Sequence, residues 1–251
     1  TGGEKILEVN GVTVKEKSLH KAADMMAGPA GSFIDLKLEK NEKVFSLKIK
    51  RENIRLRPLV CKVYRDGIGY IKCSIFGDST EFQFSKALDK LKARNVKALI
   101  IDLRNNPGGD FESSLKVASF FVQRKPLIYY KKRTGEPKPV VSVRPIKFSG
   151  PVAVIVNGGT ASAAEILTAA LSENKKAVVV GTRTFGKAKV QTIFSLTGGS
   201  AIKLTTAEYL TPTGKNINEV GIIPEIIVED NPSSKDAPLS KAIQYLKSNN
   251  K

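Results

Sequence analysis

The sequence is poor in the residues that most often carry hydrolytic and metal chemistry. It has one histidine, two cysteines, two methionines and no tryptophan among 251 residues. The single histidine, His20, precedes the part of the chain in which we predict an α/β body. A Ser-His-Asp triad or a histidine-ligated metal site in that body is therefore excluded, and a Cys-His nucleophile is disfavoured. Any hydrolytic chemistry has to use Ser, Lys, Asp or Glu side chains.

Long apolar segments are also missing. No run approaches the roughly 18–20 apolar residues that a membrane-spanning helix needs, and no signal-peptide pattern opens the chain. The first residues, Thr1 to Ile6, read as the entry into a strand from a turn. We therefore expect that residues upstream of Thr1 belong to the same fold.

Negative charge is in short supply, since 41 lysines and arginines stand against 24 acidic residues, for a net charge of +17. The excess is mostly lysine and is spread along the whole chain, which is typical of a solvated surface. No aromatic-interleaved basic patch or zinc-finger spacing indicates a specific nucleic-acid site. Association with anionic or membrane surfaces stays open on charge alone.

The two cysteines flank a predicted hairpin. A turn centred on Gly67 would place Cys61 opposite Cys73 on two paired strands. A disulfide in an oxidising compartment and two reduced thiols are both compatible with this arrangement. Two cysteines are too few for a disulfide framework or a metal cluster.

The first 50 residues have the pattern of a small module. A strand over residues 4–10 ends at an Asn-Gly turn, and Ser18 can cap a helix whose apolar residues recur at helical spacing up to Met26. Residues 32–39 and 43–50 alternate apolar and polar side chains and predict a hairpin around residues 40–42. Strand, helix and hairpin in so short a segment favour a peptide-binding module.

From residue 60 onwards, strands and helices alternate. This alternation predicts an α/β catalytic domain, followed by a polar tail from Asn231 with one short helix. The predicted strands are 68–75, 96–103, 152–156, 177–180, 189–196, 201–207 and 225–229, with a β segment over 125–146. The predicted helices are 79–94, 112–123, 161–172 and 239–247.

Two strand ends carry unusual loops, residues 105–109 and 157–162. In open α/β sheets, sites form where strands end and helices begin. Ser162 stands among small residues at a predicted helix N-terminus, where free N–H groups favour a developing oxyanion. A tight turn with a Thr or Ser cap explains the same letters. Lys187 follows a Gly turn and can serve as a base only when neutral, a state that burial or nearby positive charge favours. Taken alone, it reads as one of many solvated lysines.

The chain resembles the carboxyl-terminal processing (tail-specific) proteases of peptidase family S41. Three blocks carry the resemblance in the family's order, and residues 209–214 and 221–225 resemble its closing blocks. The three blocks are Asp102-Leu103-Arg104-Asn105-Asn106-Pro107-Gly108-Gly109, Asn157-Gly158-Gly159-Thr160-Ala161-Ser162-Ala163-Ala164-Glu165 and Thr184-Phe185-Gly186-Lys187-Ala188-Lys189-Val190-Gln191. Thr160, Ala164 and Ala188 depart from the residues common in the family, but none removes a catalytic group.

The resemblance implies a role for each matching residue. Ser162 corresponds to the nucleophile, Lys187 to the general base and Gln191 to the residue that orients the lysine. The backbone N–H groups of Gly108 and Ala163 correspond to the oxyanion hole. The implied reaction is serine endopeptidase chemistry near or from substrate C-termini, with neither metal nor cofactor.

The resemblance also implies an organisation. We expect a partial PDZ domain over 1–53, a tail-specific protease domain with a crotonase-like (ClpP/crotonase-type) core over 54–230, and a C-terminal tail over 231–251. The PDZ domain would bind the C-termini of protein or peptide substrates by strand addition. The family's usual location is extracytoplasmic, in the periplasm or cell envelope. Oligomerisation stays open.

Two other functions compete with this interpretation. One is a catalytically silent, peptide-binding scaffold of the same fold, which an intact Ser162, Lys187 and Gln191 disfavours. The other is a crotonase-like acyl-CoA enzyme, which the Ser-Lys spacing and the PDZ-like module disfavour. Glu165 is expected to stabilise a helix N-terminus rather than to take part in the chemistry.

Overall fold

The computed structural model describes residues 4–17, 19–52, 58–64, 67–196, 201–229 and 236–249. The chain divides into two compact units, Thr1–Leu56 and Arg57–Lys251. The predicted cap at Ser18, the opening turn and the first residues of the predicted tail lie outside the described residues.

The first unit is an antiparallel sheet with one helix. Its strand order is β2-β1-β3-β4. The turn between the last two strands has two residues, Asn41 and Glu42, both with positive φ (49° and 64°), as the twist of a two-residue hairpin requires. The elements are β1 (Lys5–Val9), β2 (Val12–Thr13), α1 (Leu19–Met26), β3 (Phe33–Lys40) and β4 (Lys43–Lys50).

Burial in this unit stops at β3. Val9, Ile34, Leu36 and Leu38 form its small core. The predicted hairpin is confirmed as β3 and β4. All eight residues of the edge strand β4 are exposed, including its apolar ones. The physical reason is that β4 pairs with β3 on one side only, and no described residue of this unit buries its apolar side chains.

The second unit is built on a six-stranded sheet of order β14-β11-β10-β7-β6-β5. All neighbouring pairs are parallel except β5 with β6. Every residue of the central strands β7 and β10 is buried, which explains their continuous apolar sequence. The strands are β5 (Leu59–Val63), β6 (Ile68–Cys73), β7 (Ala98–Asp102), β10 (Val152–Val156), β11 (Ala177–Gly181) and β14 (Ile226–Ile227).

Helices cover both faces of this sheet. Side chains of α2, α3 and α4 pack with one face in the larger core, and those of α5 pack with the other. Among the described residues, no helix is long and apolar enough to cross a membrane. The third helix is shorter than predicted and ends at Ala118. The helices are α2 (Thr80–Ala93), α3 (Phe111–Ala118), α4 (Ala163–Glu173) and α5 (Ala237–Ser248).

A second, antiparallel sheet completes this unit in the order β12-β13-β8-β9. A bulge between Val190 and Gln191 interrupts the pairing of β12 with β13. Tyr209, next to the last residue of β13, is buried and belongs to the larger core. The strands are β8 (Pro126–Lys132), β9 (Lys138–Val141), β12 (Lys189–Ser195) and β13 (Ala201–Leu210).

The pairing of β5 with β6 corrects the expected cysteine arrangement. Cys73 lies opposite Leu59, and Cys61 lies opposite Ile71. The predicted turn was therefore centred one residue too late, and the two cysteines are diagonal rather than direct neighbours. Diagonal residues are about 7–8 Å apart, with their Cβ atoms somewhat closer, whereas a disulfide needs Cβ atoms within about 4.5 Å. Both thiols are free, and burial raises the pKa of Cys73 to about 12.

Candidate active site

The candidate site forms where β7 and β10 end. The two strands are parallel neighbours, with Ile155 beside Asp102, so the loops that follow them leave the same edge of the sheet. Several hydrogen bonds join these loops. Asn105 and Asn157 exchange two, at 2.9 and 3.0 Å, and the Ala161 N–H donates to the Asn106 carbonyl at 2.9 Å. The loops therefore form one rigid platform.

Beside this platform lies a cavity of about 420 Å³. Ser162, Lys187, Gln191 and Gly108 all line it, so the structure brings four of the five residues singled out in the sequence to one cleft. The fifth, Ala163, is buried at the first position of α4, next to Ser162. Within the described ranges, no hydrogen bond joins the Ser162 Oγ to the Lys187 Nζ, and none joins Lys187 to Gln191.

Ser162 has an unusual main chain. Its φ is 54° and its ψ is −117°, a region that L-residues rarely adopt. Such a conformation costs about 1–3 kcal/mol and persists only where the surroundings hold it. It presents the Ser162 side chain to the cleft directly before α4 begins. Ser162 thus combines a strained main chain with a side chain in the cleft, a combination that the small neighbours in the sequence did not reveal.

Glu165 is fully buried and holds this turn to the segment that carries Lys187. Its Oε2 accepts hydrogen bonds from the main-chain N–H of Ser162 at 2.8 Å and of Lys187 at 2.9 Å. Its Oε1 accepts from the Gly186 N–H at 2.8 Å and from the Thr184 hydroxyl at 2.6 Å. Glu165 thus does more than stabilise the start of α4, which was the expectation from sequence.

The two predicted oxyanion donors differ. The Ala163 N–H stands at the start of α4 and has no hydrogen-bond partner among the described residues. The Gly108 N–H donates to the Asn106 Oδ1 at 2.9 Å. Gly108 has a φ of 101°, and a Cβ there would lie 2.8 Å from the Ser162 Cβ, so only glycine fits this approach. Ala163 is thus a free donor in this conformation, and Gly108 is an engaged one.

A charged network lies behind the first loop. The buried Asp102 accepts hydrogen bonds from the Arg104 guanidinium, at 2.7 Å for the shortest, and from the Tyr70 hydroxyl at 2.8 Å. Arg104 also reaches Asp236, the residue that caps α5, with two bonds of 2.8 Å. Burial alone would lower the pKa of Arg104, but its bonds to the two carboxylates outweigh burial and raise it.

Titratable groups that could bind a metal are not assembled here. Within the described ranges, no three His, Cys, Asp or Glu side chains come together in a metal-binding arrangement. The cleft is instead lined by three lysines, Lys187, Lys189 and Lys203, and one carboxylate, Asp110. Its electrostatic character is therefore cationic.

Comparison with known proteins agrees with this geometry. Residues 67–228 match the profile of Peptidase family S41. The chain is 34% identical over 246 residues to carboxyl-terminal-processing peptidase 2, chloroplastic, of Arabidopsis thaliana, covering 94% of this chain and 47% of that protein. It is 33% identical over 228 residues to carboxy-terminal processing protease CtpA of Bacillus subtilis, covering 90% and 49%. The chain thus spans about half the length of these curated relatives.

A solved structure is similar as well. The photosystem II D1 C-terminal processing protease superposes with a TM-score of 0.73 at 30% sequence identity, covering 90% of this chain and 63% of that one.

Proposed function

Because the chain belongs to peptidase family S41, we propose that it is a serine endopeptidase that cleaves protein substrates near or from their C-termini. In this proposal Ser162 is the nucleophile, Lys187 is its general base and Gln191 orients the lysine. The observation that carries it is the strained Ser162, opening onto the same cleft as Lys187 and Gln191. A second function has no comparable support, since family membership favours neither a silent scaffold nor an acyl-CoA enzyme.

The chemistry follows from these positions. The neutral Lys187 amine takes the Ser162 hydroxyl proton as Oγ attacks the peptide carbonyl carbon. The Ala163 N–H stabilises the resulting oxyanion, and the Gly108 N–H joins it by turning from Asn106 or by forking between the two acceptors. The lysine then protonates the leaving amine, and water hydrolyses the acyl-enzyme through a second oxyanion. Catalytic hydrogen bonds are often long or absent in a free enzyme and form when substrate binds. We expect this of the bond between the Ser162 Oγ and the Lys187 Nζ.

The charge of the cleft suggests which substrates it takes. Lys189 and Lys203 stand on paired strands beside the nucleophile, and Asp110 is the single carboxylate of the lining. A peptide that carries acidic side chains or its own terminal carboxylate would be attracted to this cleft more strongly than a basic one. Protein or peptide C-terminal segments fit this requirement.

The remaining family features complete the proposal. Residues 1–53 are a partial PDZ domain that recognises substrate C-termini, supported by a small sheet whose strand β4 pairs on one side only and can therefore add a strand. The Arg57–Lys251 unit has the crotonase-like core, supported by its parallel sheet with oxyanion donors after β7 and β10. The location is extracytoplasmic, and the support for it is the family alone.

The test is cleavage of an unstructured protein with an apolar C-terminus. Ser162→Ala and Lys187→Ala should both abolish turnover, and the wild-type rate should rise with pH because only the neutral amine accepts a proton. Ser172→Ala and Lys175→Ala, at the far end of α4, are matched controls that should retain activity. Turnover that survives in Ser162→Ala would contradict the assignment. Coenzyme A binding, measured by calorimetry, would point to the acyl-CoA alternative instead.

A further inference from the structure

Tyr209 contacts the same two residues as Glu165, but through their main-chain carbonyl groups instead of their N–H groups. Its hydroxyl lies 3.2 Å from the Ser162 carbonyl oxygen and 3.0 Å from the Lys187 carbonyl oxygen. The phenol has one hydrogen, so the two carbonyls share it. Ser162 and Lys187 thus each have their N–H held by Glu165 and their C=O held by Tyr209.

From this we propose that Tyr209 is a positioning residue of the active site, holding the main chains of Ser162 and Lys187 at a fixed separation together with Glu165. The inference rests on the proposed Ser162–Lys187 chemistry. Tyr209 touches no reacting atom, because both of its partners are carbonyl oxygens of the main chain. We call the two side chains and the four bonds they make to the main chains of Ser162 and Lys187 the bracket.

The surroundings of Tyr209 suit this role. Its side chain is 1% exposed, so water does not compete for the two carbonyls. Its own main chain is fixed between two strands, since it pairs with Tyr130 on β8 and its N–H donates to the Ala188 carbonyl at 2.9 Å. Burial and, after it, the charge of Glu165 raise the pKa of Tyr209 well above its ordinary value. The hydroxyl is therefore protonated and can donate at neutral pH.

The strained main chain of Ser162 explains why the bracket is needed. A residue with φ 54° and ψ −117° relaxes unless its peptide groups are held on both sides. Glu165 holds the peptide group before Ser162. The Ser162 carbonyl in the peptide group after it accepts from the Glu165 and Ile166 N–H groups at 2.8 and 3.0 Å, and Tyr209 adds a third bond that also reaches Lys187. Because the same two side chains hold Lys187, any relaxation of the serine turn would also shift the lysine, and displacements of about 1 Å can cost about 100-fold in rate.

The first experiment uses Tyr209→Phe in the full 251-residue chain, which removes only the hydroxyl. We expect kcat to fall by about tenfold or more, because the reacting groups are misplaced. KM should change by less than about twofold, because no substrate contact is lost. Tyr245→Phe on α5 removes the hydroxyl of a partly buried tyrosine outside the site; it is the control and should leave both constants unchanged.

A second measurement does not depend on turnover. Hydrogen–deuterium exchange should increase in Tyr209→Phe for residues 160–166 and 184–190 together, and in neither segment for Tyr245→Phe. Unchanged exchange in these segments would overturn the bracket, whether or not the chain is active. Increased exchange with an unchanged kcat would overturn the positioning role. If the wild type proves inactive, the proposed function fails. If exchange nevertheless increases in both segments of Tyr209→Phe, Tyr209 has a structural role only, and the positioning role is overturned as well.

A variant that fails to fold would be uninformative, so thermal unfolding is measured first. Should Tyr209→Phe unfold well below the wild type, Glu165→Gln serves as the second variant, because it disturbs the same bracket through the N–H side. Loosening of both segments in that variant supports the bracket. Loosening confined to the start of α4 contradicts it, because Glu165 would then act as a helix cap alone.

Discussion

Two carboxylates, Glu165 and Asp102, are completely buried near the same edge of the central sheet, and the chain neutralises them in different ways. Glu165 is held by three main-chain N–H groups and one hydroxyl, and among the described residues no cation forms a salt bridge with it. Asp102 is held mainly by the guanidinium of Arg104, with the Tyr70 hydroxyl as a second donor.

The two carboxylates differ in which parts of the protein they hold in place. A carboxylate bound by main-chain N–H groups fixes those peptide groups, and here they belong to Ser162, Gly186 and Lys187. A carboxylate bound by a guanidinium fixes whatever else the guanidinium binds, and Arg104 also binds Asp236 at the start of α5. We therefore expect changes at Glu165 to affect catalysis first and changes at Arg104 to affect stability first.

The largest expected effect is on stability. Arg104→Met leaves the Asp102 charge buried without its cation, and breaking a buried pair in this way costs about 3–5 kcal/mol. Urea denaturation measures the change in the free energy of unfolding. Arg144→Met removes a half-exposed partner of Glu81 and should cost at most about 1 kcal/mol. Equal losses in the two variants would show that the Asp102 network is no stronger than a surface pair.

The next effect is on rate. Glu165→Gln places an NH₂ group against N–H donors of the bracket, so the Ser162 turn and the Lys187 segment separate. We expect kcat to fall by about 100-fold, or about 2.7 kcal/mol in the activation barrier. Glu173→Gln, which changes the carboxylate at the other end of α4, is the control and should remain active. If Glu165→Gln lowers the free energy of unfolding but leaves kcat unchanged, the two carboxylates do not differ in the way we expect.

Tyr70→Phe sharpens the comparison within the Asp102 region. It removes a neutral donor to a charged acceptor, a bond that contributes about 1.5–3 kcal/mol. The free energy of unfolding should fall while kcat stays unchanged, because the guanidinium still neutralises Asp102. A marked fall in kcat would mean that the Asp102 network also positions the loop after β7, which carries Gly108.

The smallest expected effect depends on pH. Burial opposes ionisation of Asp236, but its hydrogen bonds from Arg104 and the Leu239 N–H outweigh burial and lower its pKa. Because the folded-state pKa is the lower one, this contribution is present above about pH 4 and is lost as pH falls through the folded-state value. Asp236 is 38% exposed, so Asp236→Asn should cost only about 0.5 kcal/mol at neutral pH. Unfolding curves of variant and wild type should converge in acid, and a constant difference would contradict this origin.

Much of the fold could be predicted from the sequence, because its strands are either continuous apolar runs or alternating ones. Ala98–Asp102 and Val152–Val156 are found as buried strands, and both loops that follow them lie at the candidate site. The alternation in β3 and β4 predicted their hairpin correctly, but all eight residues of β4 are exposed. Alternation reports which face a side chain takes, but whether that face is covered depends on other segments.

The site divides in the same way. Ser162, Lys187 and Gln191 could be proposed from motifs, but Glu165 was interpreted as a helix cap and Tyr209 only as part of a closing block. Their contacts join residues far apart in sequence, with 47 positions between Tyr209 and Ser162. The strain at Ser162 and the engagement of Gly108 by Asn106 also depend on tertiary geometry, for which a local pattern carries no signal.

The position of Tyr209 has a consequence for how the protein is made. During synthesis the chain emerges from its N-terminus, so Ser162 and Lys187 leave the ribosome before β13 does. Until Tyr209 arrives, both carbonyls of the pair lack their shared donor, and the six-stranded sheet still lacks β14 at its edge. A nascent or prematurely terminated chain would thus carry Ser162 and Lys187 without the side chain that we propose aligns them. In this order of synthesis, the proposed catalytic pair stays unaligned until β13 has paired.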